Sequence, residues 1–156
     1  NGDVYEGDYL NGERTGEGIF KCVNGDKYVG QFKEGYMCGM GTYTWKNGDI
    51  YTGQWKNDLQ NGHGKLTKKS GDVFDGTFKD GKPDGQIIIH YANGCKYKGT
   101  FKQGKRNGPA IEEDREGKRF EGSYLDDKRD GKFVEKDRNG KIVKTGHYEG
   151  GRRFDD

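Results

Sequence analysis

The chain has few of the residues that usually build a protein interior. Its 156 residues include only four leucines, seven isoleucines and six valines. No apolar run is long enough to span a membrane, and no stretch reads as a secretion signal. Cysteine is scarce and unpatterned: Cys22, Cys38 and Cys95 form no framework, which points to free thiols in a reducing, cytoplasmic setting. There is no CxxC, and His63, His90 and His147 stand beside no cysteine at metal-ligand spacing. No metal or cofactor is expected. Net charge is only +2, so nothing draws the chain as a whole toward nucleic acid.

Catalytic patterns are missing too. No Ser-His-Asp or Cys-His arrangement has support, and the acidic run from Glu112 to Asp114 reads as surface patterning rather than an acid/base pair. Gly-x-Gly occurs at 16–18, 39–41 and 62–64, but there it opens a strand. It therefore lacks the helix N-terminus that phosphate cradles use. The chain does not read as an enzyme.

Scarce aliphatics would signal disorder if joined to a high net charge. Here 28 basic residues are balanced by 26 acidic ones, aromatics make up 13% of the chain, and 29 glycines recur at fixed places. The organising stretch is Asn24 to Lys46, NGDKYVGQFKEGYMCGMGTYTWK, whose frame returns every 23 residues. Copies run 1–23, 24–46, 47–69, 70–92, 93–115 and 116–138, with a partial or capping copy at 139–156. Frame position five is aromatic (Tyr5, Tyr28, Tyr51, Phe74, Tyr97, Phe120), and so is position nine (Tyr9, Phe32, Trp55, Phe78, Phe101, Tyr124). Glycine holds positions two, seven and sixteen. Aromatic-x-Gly-x-aromatic is period-two patterning, so each copy predicts one strand over positions five to ten and a second from sixteen onward.

This frame resembles the MORN (membrane occupation and recognition nexus) repeat. YEGDYLNG with GEG, YVGQFKEG with GMG, and YTGQWKND with GHG carry the resemblance best. It implies non-catalytic work in protein–protein assembly, including dimers, or phospholipid association, in the cytoplasm and beside the cytoskeleton or a membrane. Accessory repeats in larger enzymes form a further alternative. The array starts in phase and without Met, as a piece of a longer protein would.

Asn-Gly between copies predicts two-residue type I′ turns, and positions eleven to fifteen predict a five-residue loop within each copy. Together these rules set position five opposite twenty-one and predict an all-β, elongated, open antiparallel sheet of tandem hairpins, about 12–14 strands long. In that register the repeat aromatics share one face. A second face collects Phe20, Tyr43, Trp45, Ile50, Leu66, Ile89 and Tyr91 as an apolar surface for a protein partner or a second copy. Later copies place Glu112, Asp114, Glu121, Glu135 and Asp137 there, reading as a solubilised end, with Asp114 set to pair with Arg119. Position ten supplies Lys33, Lys56, Lys79 and Lys102, a candidate contact for anionic lipid.

Overall fold

The computed structural model describes residues 1–156 and contains only strands and turns. It separates into two compact units, Asn1–Lys82 and Pro83–Asp156. The first holds β1 (Val4–Leu10), β2 (Glu13–Lys21), β3 (Lys27–Lys33), β4 (Tyr36–Thr44), β5 (Ile50–Lys56), β6 (Leu59–Thr67) and β7 (Val73–Lys79). The second holds β8 (Lys82–His90, its first residue excepted), β9 (Lys96–Lys102), β10 (Lys105–Glu113), β11 (Arg119–Leu125), β12 (Lys128–Arg129), β13 (Gly131–Lys136), β14 (Ile142–Glu149) and β15 (Arg152–Asp155). Within each unit, successive strands pair antiparallel in chain order as an open sheet of hairpins. The strands number fifteen because Asp130 interrupts the second strand of its hairpin: β12 pairs only with β11, and β13 continues the sheet.

Both turn types differ from expectation, and the difference decides which side chains share a face. The five-residue loop is a two-residue turn. Glu34 and Gly35 have φ of 54° and 84°, and Asn57 and Asp58 have 49° and 71°. Two successive positive φ values define the type I′ turn, whose twist matches that of the flanking strands. The slack is taken up two residues later. Gly30 pairs with Gly41 while Phe32 pairs with Met37, so Cys38, Gly39 and Met40 oppose Gln31 alone in a bulge with two extra residues. Gly39 sits in the bulge at φ 63°, and the Gln31 carboxamide accepts from the Met40 N–H at 2.7 Å.

The Asn-Gly turns are not type I′. Gly25 N–H donates to the Cys22 carbonyl at 3.0 Å, Cys22 N–H donates to the Asp26 carbonyl at 2.9 Å, and only Gly25 has positive φ, at 104°. This is a type I turn closed by a glycine bulge. It frees the Asn24 carboxamide to accept from the Asp26 N–H at 2.9 Å, the local bond that asparagine favours in turns. Asp26 then accepts from the Lys46 N–H, and Asp3 and Asp49 do the same for Val23 and Lys69, each at 2.8 Å. In each of the first three copies one carboxylate thus ties neighbouring turns together.

The net effect is a one-residue change of register. Position five pairs with twenty rather than twenty-one, and because side chains alternate, every second strand presents its other face. One column in the first unit runs Tyr5, Phe20, Tyr28, Tyr43, Tyr51, Leu66, Phe74. Beside it runs Gly7, Gly18, Gly30, Gly41, Gly53, Gly64, Gly76. Rings fold over this glycine column. A Cβ at Gly41 would collide with the Tyr28 ring, and one at Gly64 with that of Tyr51. The Tyr28 and Tyr51 hydroxyls pass across the glycines to donate to the Gln31 and Gln54 carbonyls, each at 3.0 Å.

A single sheet with few aliphatics therefore builds its core from aromatic rings. In the first unit the rings meet edge to face in one zigzag: Tyr9, Tyr5, Phe32, Tyr28, Trp55, Tyr51, Phe78, with centroids 5.1–5.5 Å apart. Each such pair adds about 0.5–1.5 kcal/mol beyond its buried area. The second unit buries Ile87, Ile89, Tyr97, Phe101, Phe120, Tyr124, Phe133 and Tyr148.

Candidate partner-binding surface

The new register relocates the expected partner-binding residues. Phe20, Tyr43 and Leu66 lie in the core column, and with Trp45 they pack half-buried against Tyr28, Phe32, Tyr51, Trp55 and Phe78. They form the rim of the aromatic core rather than a second face. Ile50 lies on the opposite face, between Thr44 and Thr67, and is 37% exposed. Ile89, 2% exposed, fills the interior of the second unit and offers nothing to a partner. Tyr91 is half-buried in that unit, where it lines a depression of about 550 Å³ with Cys95, Glu112, Phe120, Arg129 and Val143. The structure thus gathers Phe20, Tyr43, Trp45 and Leu66 at one rim and sets Ile50 on the other face of that unit, while Ile89 and Tyr91 belong to the second unit.

At the rim of the first unit, the Tyr43 and Trp45 rings are 4.7 Å apart and tilted by 46°, and Tyr43 lies 5.9 Å from Trp55. The Trp55 indole N–H is spent on the Gly41 carbonyl at 3.1 Å. The Tyr43 hydroxyl donates to Asp26 Oδ2 at 2.7 Å. Burial, and then this bond to a carboxylate, pushes the Tyr43 phenol up. The same bond, joined by the Lys46 N–H, holds the Asp26 carboxyl below its ordinary value. Asp26 is ionised at neutral pH and takes part in no ion pair. Burial and the charges of Asp3 and Asp26 push the nearby Cys22 thiol up, away from a reactive thiolate.

Arginines at frame position fourteen face the aromatic rings of their own unit. Arg14 lies over Phe20, its guanidinium carbon 4.8 Å from the ring centroid, and donates to the Gly35 carbonyl at 2.7 Å. In the second unit Arg106 lies 4.6 Å over Tyr124. Arg129 lies 3.7 Å over Phe120 and donates to Glu112 at 2.7 Å, Tyr148 at 3.1 Å and Tyr124 at 3.3 Å. Glu112 and Glu135 are therefore not a solubilised end. They stand on the aromatic face and pair with Arg129 and Arg153 at 2.7 and 2.6 Å. Nor does Asp114 pair with Arg119: its carboxylate accepts from the Glu116 and Lys118 N–H groups at 2.9 and 3.0 Å, locking its own turn. An arginine column at position fourteen and an aspartate column at position three were the signals available in the sequence.

Lys33, Lys56 and Lys79 in the first unit and Lys102 in the second are exposed beside the type I′ turns, and none forms an ion pair. Cys22, Cys38 and Cys95 are free thiols.

Tandem hairpins at a fixed period, joined through turn-to-turn hydrogen bonds and an aromatic core laid over glycines, define a β-hairpin repeat protein. The chain belongs to the MORN repeat family, whose model matches residues 5–27, 28–50, 51–73, 74–96, 97–119 and 120–141. No curated protein matches it. Among solved structures it is similar to the SAS-4 (dCPAP) TCP domain of Drosophila melanogaster, solved in complex with a proline-rich motif of Ana2 (dSTIL). The two are 14% identical over 90% of this chain and 83% of that one, with a TM-score of 0.52. The CPAP G-box domain is 15% identical over 99% and 98% of the two chains, with a TM-score of 0.43. The TCP10 domain of Danio rerio CPAP is 12% identical over 85% and 68%, with a TM-score of 0.39.

Proposed function

We propose that this chain is a non-catalytic protein-interaction module, and that its partner docks on the aromatic rim of the first unit around Tyr43 and Trp45. The observation that carries the reading is the Tyr43–Trp45 pair: two large rings left half-buried where the neighbouring Tyr28, Tyr51 and Trp55 rings are buried. Aromatic anchors of this kind dominate interface energies, and they lose little side-chain freedom on binding. The partner is an extended, proline-rich segment. The SAS-4 domain of shared fold is held with such a motif, and polyproline segments dock on aromatic-lined grooves at low entropic cost.

Calorimetric titration of the chain with a proline-rich peptide tests this. Binding is expected to fall by about tenfold or more in Trp45→Leu, as for a hot-spot residue. A peptide held equally by wild type and variant would sink the reading. Self-association through the same rim would appear instead as a concentration-dependent mass in sedimentation.

Anionic lipid is the second reading, favoured by the exposed, unpaired Lys33, Lys56, Lys79 and Lys102. It requires binding to phosphatidylserine vesicles that weakens with salt and in Lys56→Glu.

A further inference from the structure

The chain itself shows what its aromatic surfaces accept. Frame position fourteen reads Arg14, Met37, Gln60, Pro83, Arg106, Arg129. Wherever it is arginine, the guanidinium lies over rings of the chain: Arg14 over Phe20, Arg106 over Tyr124, Arg129 over Phe120. Arg129 is also the fullest case. Its plane rests on one ring while its N–H groups reach a carboxylate and two tyrosine hydroxyls. In the second copy the position is Met37, whose thioether packs against the core and brings no charge.

The rim of that copy nonetheless has the other parts of an arginine site. Tyr43 and Trp45 supply ring faces, and Asp26 supplies a carboxylate fixed within hydrogen-bonding reach of Tyr43. That carboxylate takes part in no ion pair. Lys46 bonds Asp26 through its backbone N–H, and its charge acts on the carboxylate only as a minor effect, while its side-chain methylenes lie over Gly25. Asp49, at the next turn, is already paired with Lys68 at 3.1 Å. Asp26 is ionised at neutral pH like any aspartate, and the Tyr43 hydroxyl, then the Lys46 N–H, hold its carboxyl lower still.

We propose that the Tyr43–Trp45 rim takes an arginine side chain of a basic, proline-rich peptide, its guanidinium stacked on the rings and paired with Asp26. This rests on the reading of the rim as a partner site and names the chemistry of that partner. Arginine fits better than lysine because a planar guanidinium can stack on a ring and still aim N–H groups at a carboxylate in its own plane. The chain makes the same choice internally, with arginine three times and lysine never at position fourteen. A proline-rich backbone holds such a side chain out without paying to order the peptide.

The test uses the whole chain and two synthetic peptides: a proline-rich peptide with one central arginine, and its twin with citrulline, which keeps the planar shape and loses the charge. The arginine peptide is expected to bind about tenfold more tightly than the citrulline peptide, the range for a stacked and paired cation. Asp26→Asn should remove most of that preference. Its carboxamide oxygen can still accept from the Lys46 N–H, and a thermal melt reports whether the fold is kept. If Asp26→Asn does not fold, Trp45→Leu makes the same comparison and should also flatten the preference.

Equal binding of both peptides, lost together in Trp45→Leu, would overturn the arginine inference and leave the rim as a partner site. An arginine preference that survives in both Asp26→Asn and Trp45→Leu would place the cation elsewhere and overturn it as well. Absence of binding by either peptide would overturn both the inference and the proline-rich form of the parent reading.

Discussion

The ring of Tyr28 covers the α-carbon of Gly41, so that a Cβ at Gly41 would meet the ring and its hydroxyl. The same relationship joins Tyr5 to Gly18 and Tyr51 to Gly64. In the second unit the pair changes on both sides. Phe120 faces Phe133, the two rings stacked with centroids 5.6 Å apart, and Tyr97 stands beside Ala110. Position five keeps its hydroxyl where position eighteen is glycine or alanine and loses it where position eighteen is large. The hydroxyl is thus absent wherever a large side chain at position eighteen occupies the space it would cross, since two groups cannot share one site in a close-packed interior.

A substitution at one member of the pair should therefore depend on the other. Gly41→Ala is expected to cost about 1–3 kcal/mol, the usual range for overpacking. In a Tyr28→Phe background the cost should shrink, because the clash includes the hydroxyl. Urea denaturation of wild type, both single variants and the double variant measures the coupling. Strict additivity would show that the ring and the glycine do not compete for one space.

Tyrosines at position five should differ in what their hydroxyls contribute. The Tyr51 hydroxyl donates to the Gln54 carbonyl at 3.0 Å, whereas the buried Tyr97 hydroxyl has no partner. Burial pushes the Tyr51 phenol up to about 12. Tyr51→Phe is expected to cost about 1 kcal/mol, a typical net hydrogen bond. Tyr97→Phe should be neutral or stabilising by up to about 1 kcal/mol, because it removes an unsatisfied buried group. Paired thermal melts give the sign directly.

The type I′ turns leave room for improvement at Glu34, a residue with φ of 54° that is neither glycine nor asparagine. Asparagine tolerates that region best among side-chain-bearing residues. Glu34→Asn should raise stability by about 0.5 kcal/mol, while Gly35→Ala, at φ 84°, should lower it by about 1 kcal/mol. Opposite signs in adjacent residues would confirm the turn type in solution.

These turns mark the limit of what the sequence disclosed. The 23-residue period, the all-β class and the two strands per copy were legible because aromatics and glycines recur at fixed places. The face assignment was not. Asn24-Gly25 carries the dipeptide of a type I′ turn, yet forms a type I turn with a glycine bulge, in which the Asn24 carboxamide accepts from the Asp26 N–H locally and the Asp26 carboxylate accepts from the Lys46 N–H across turns. Glu34-Gly35 lacks that dipeptide and forms the I′ turn. Each choice moves the pairing by one residue, and one residue exchanges the faces of a strand. Trp45, Tyr43 and Phe20 were therefore picked out as apolar surface but assigned to the wrong side, and Asp26 was passed over because its partners Tyr43 and Lys46 lie 17 and 20 residues away.

Acid should loosen the first unit through its turn carboxylates. The Tyr43 hydrogen bond, and then the Lys46 N–H, lower the pKa of Asp26, and the Lys69 N–H leads the same effect at Asp49. A depressed folded-state value means that the unfolded chain binds protons first. The stabilisation is thus complete above the unfolded carboxylate value of about 3.9 and is lost as pH falls through the lower folded values. Urea midpoints between about pH 6 and about pH 3 should fall toward the acid end, and Asp26→Asn should flatten its share of that slope. A slope unchanged in Asp26→Asn would show that this carboxylate is not linked to folding.

In the second unit, the Arg129–Glu112 pair offers a contrast between breaking a pair and replacing it. Both side chains are about a quarter to a third exposed, so solvent screens them in part. Arg129→Met removes the guanidinium from Phe120, Tyr124 and Tyr148 and leaves Glu112 with only the Tyr124 hydroxyl, at 2.8 Å. The expected cost is about 2 kcal/mol, below the range for fully buried pairs. Glu112→Leu in the same chain should recover most of it, because an apolar pair of similar volume avoids the stranded charge. The aromatic face would then read, from Phe120 to Tyr148, much as Leu66 and Met37 read in the first unit. If the double variant is no more stable than Arg129→Met, the arginine contributes mainly through its stacking on the rings, and the carboxylate is incidental to the fold.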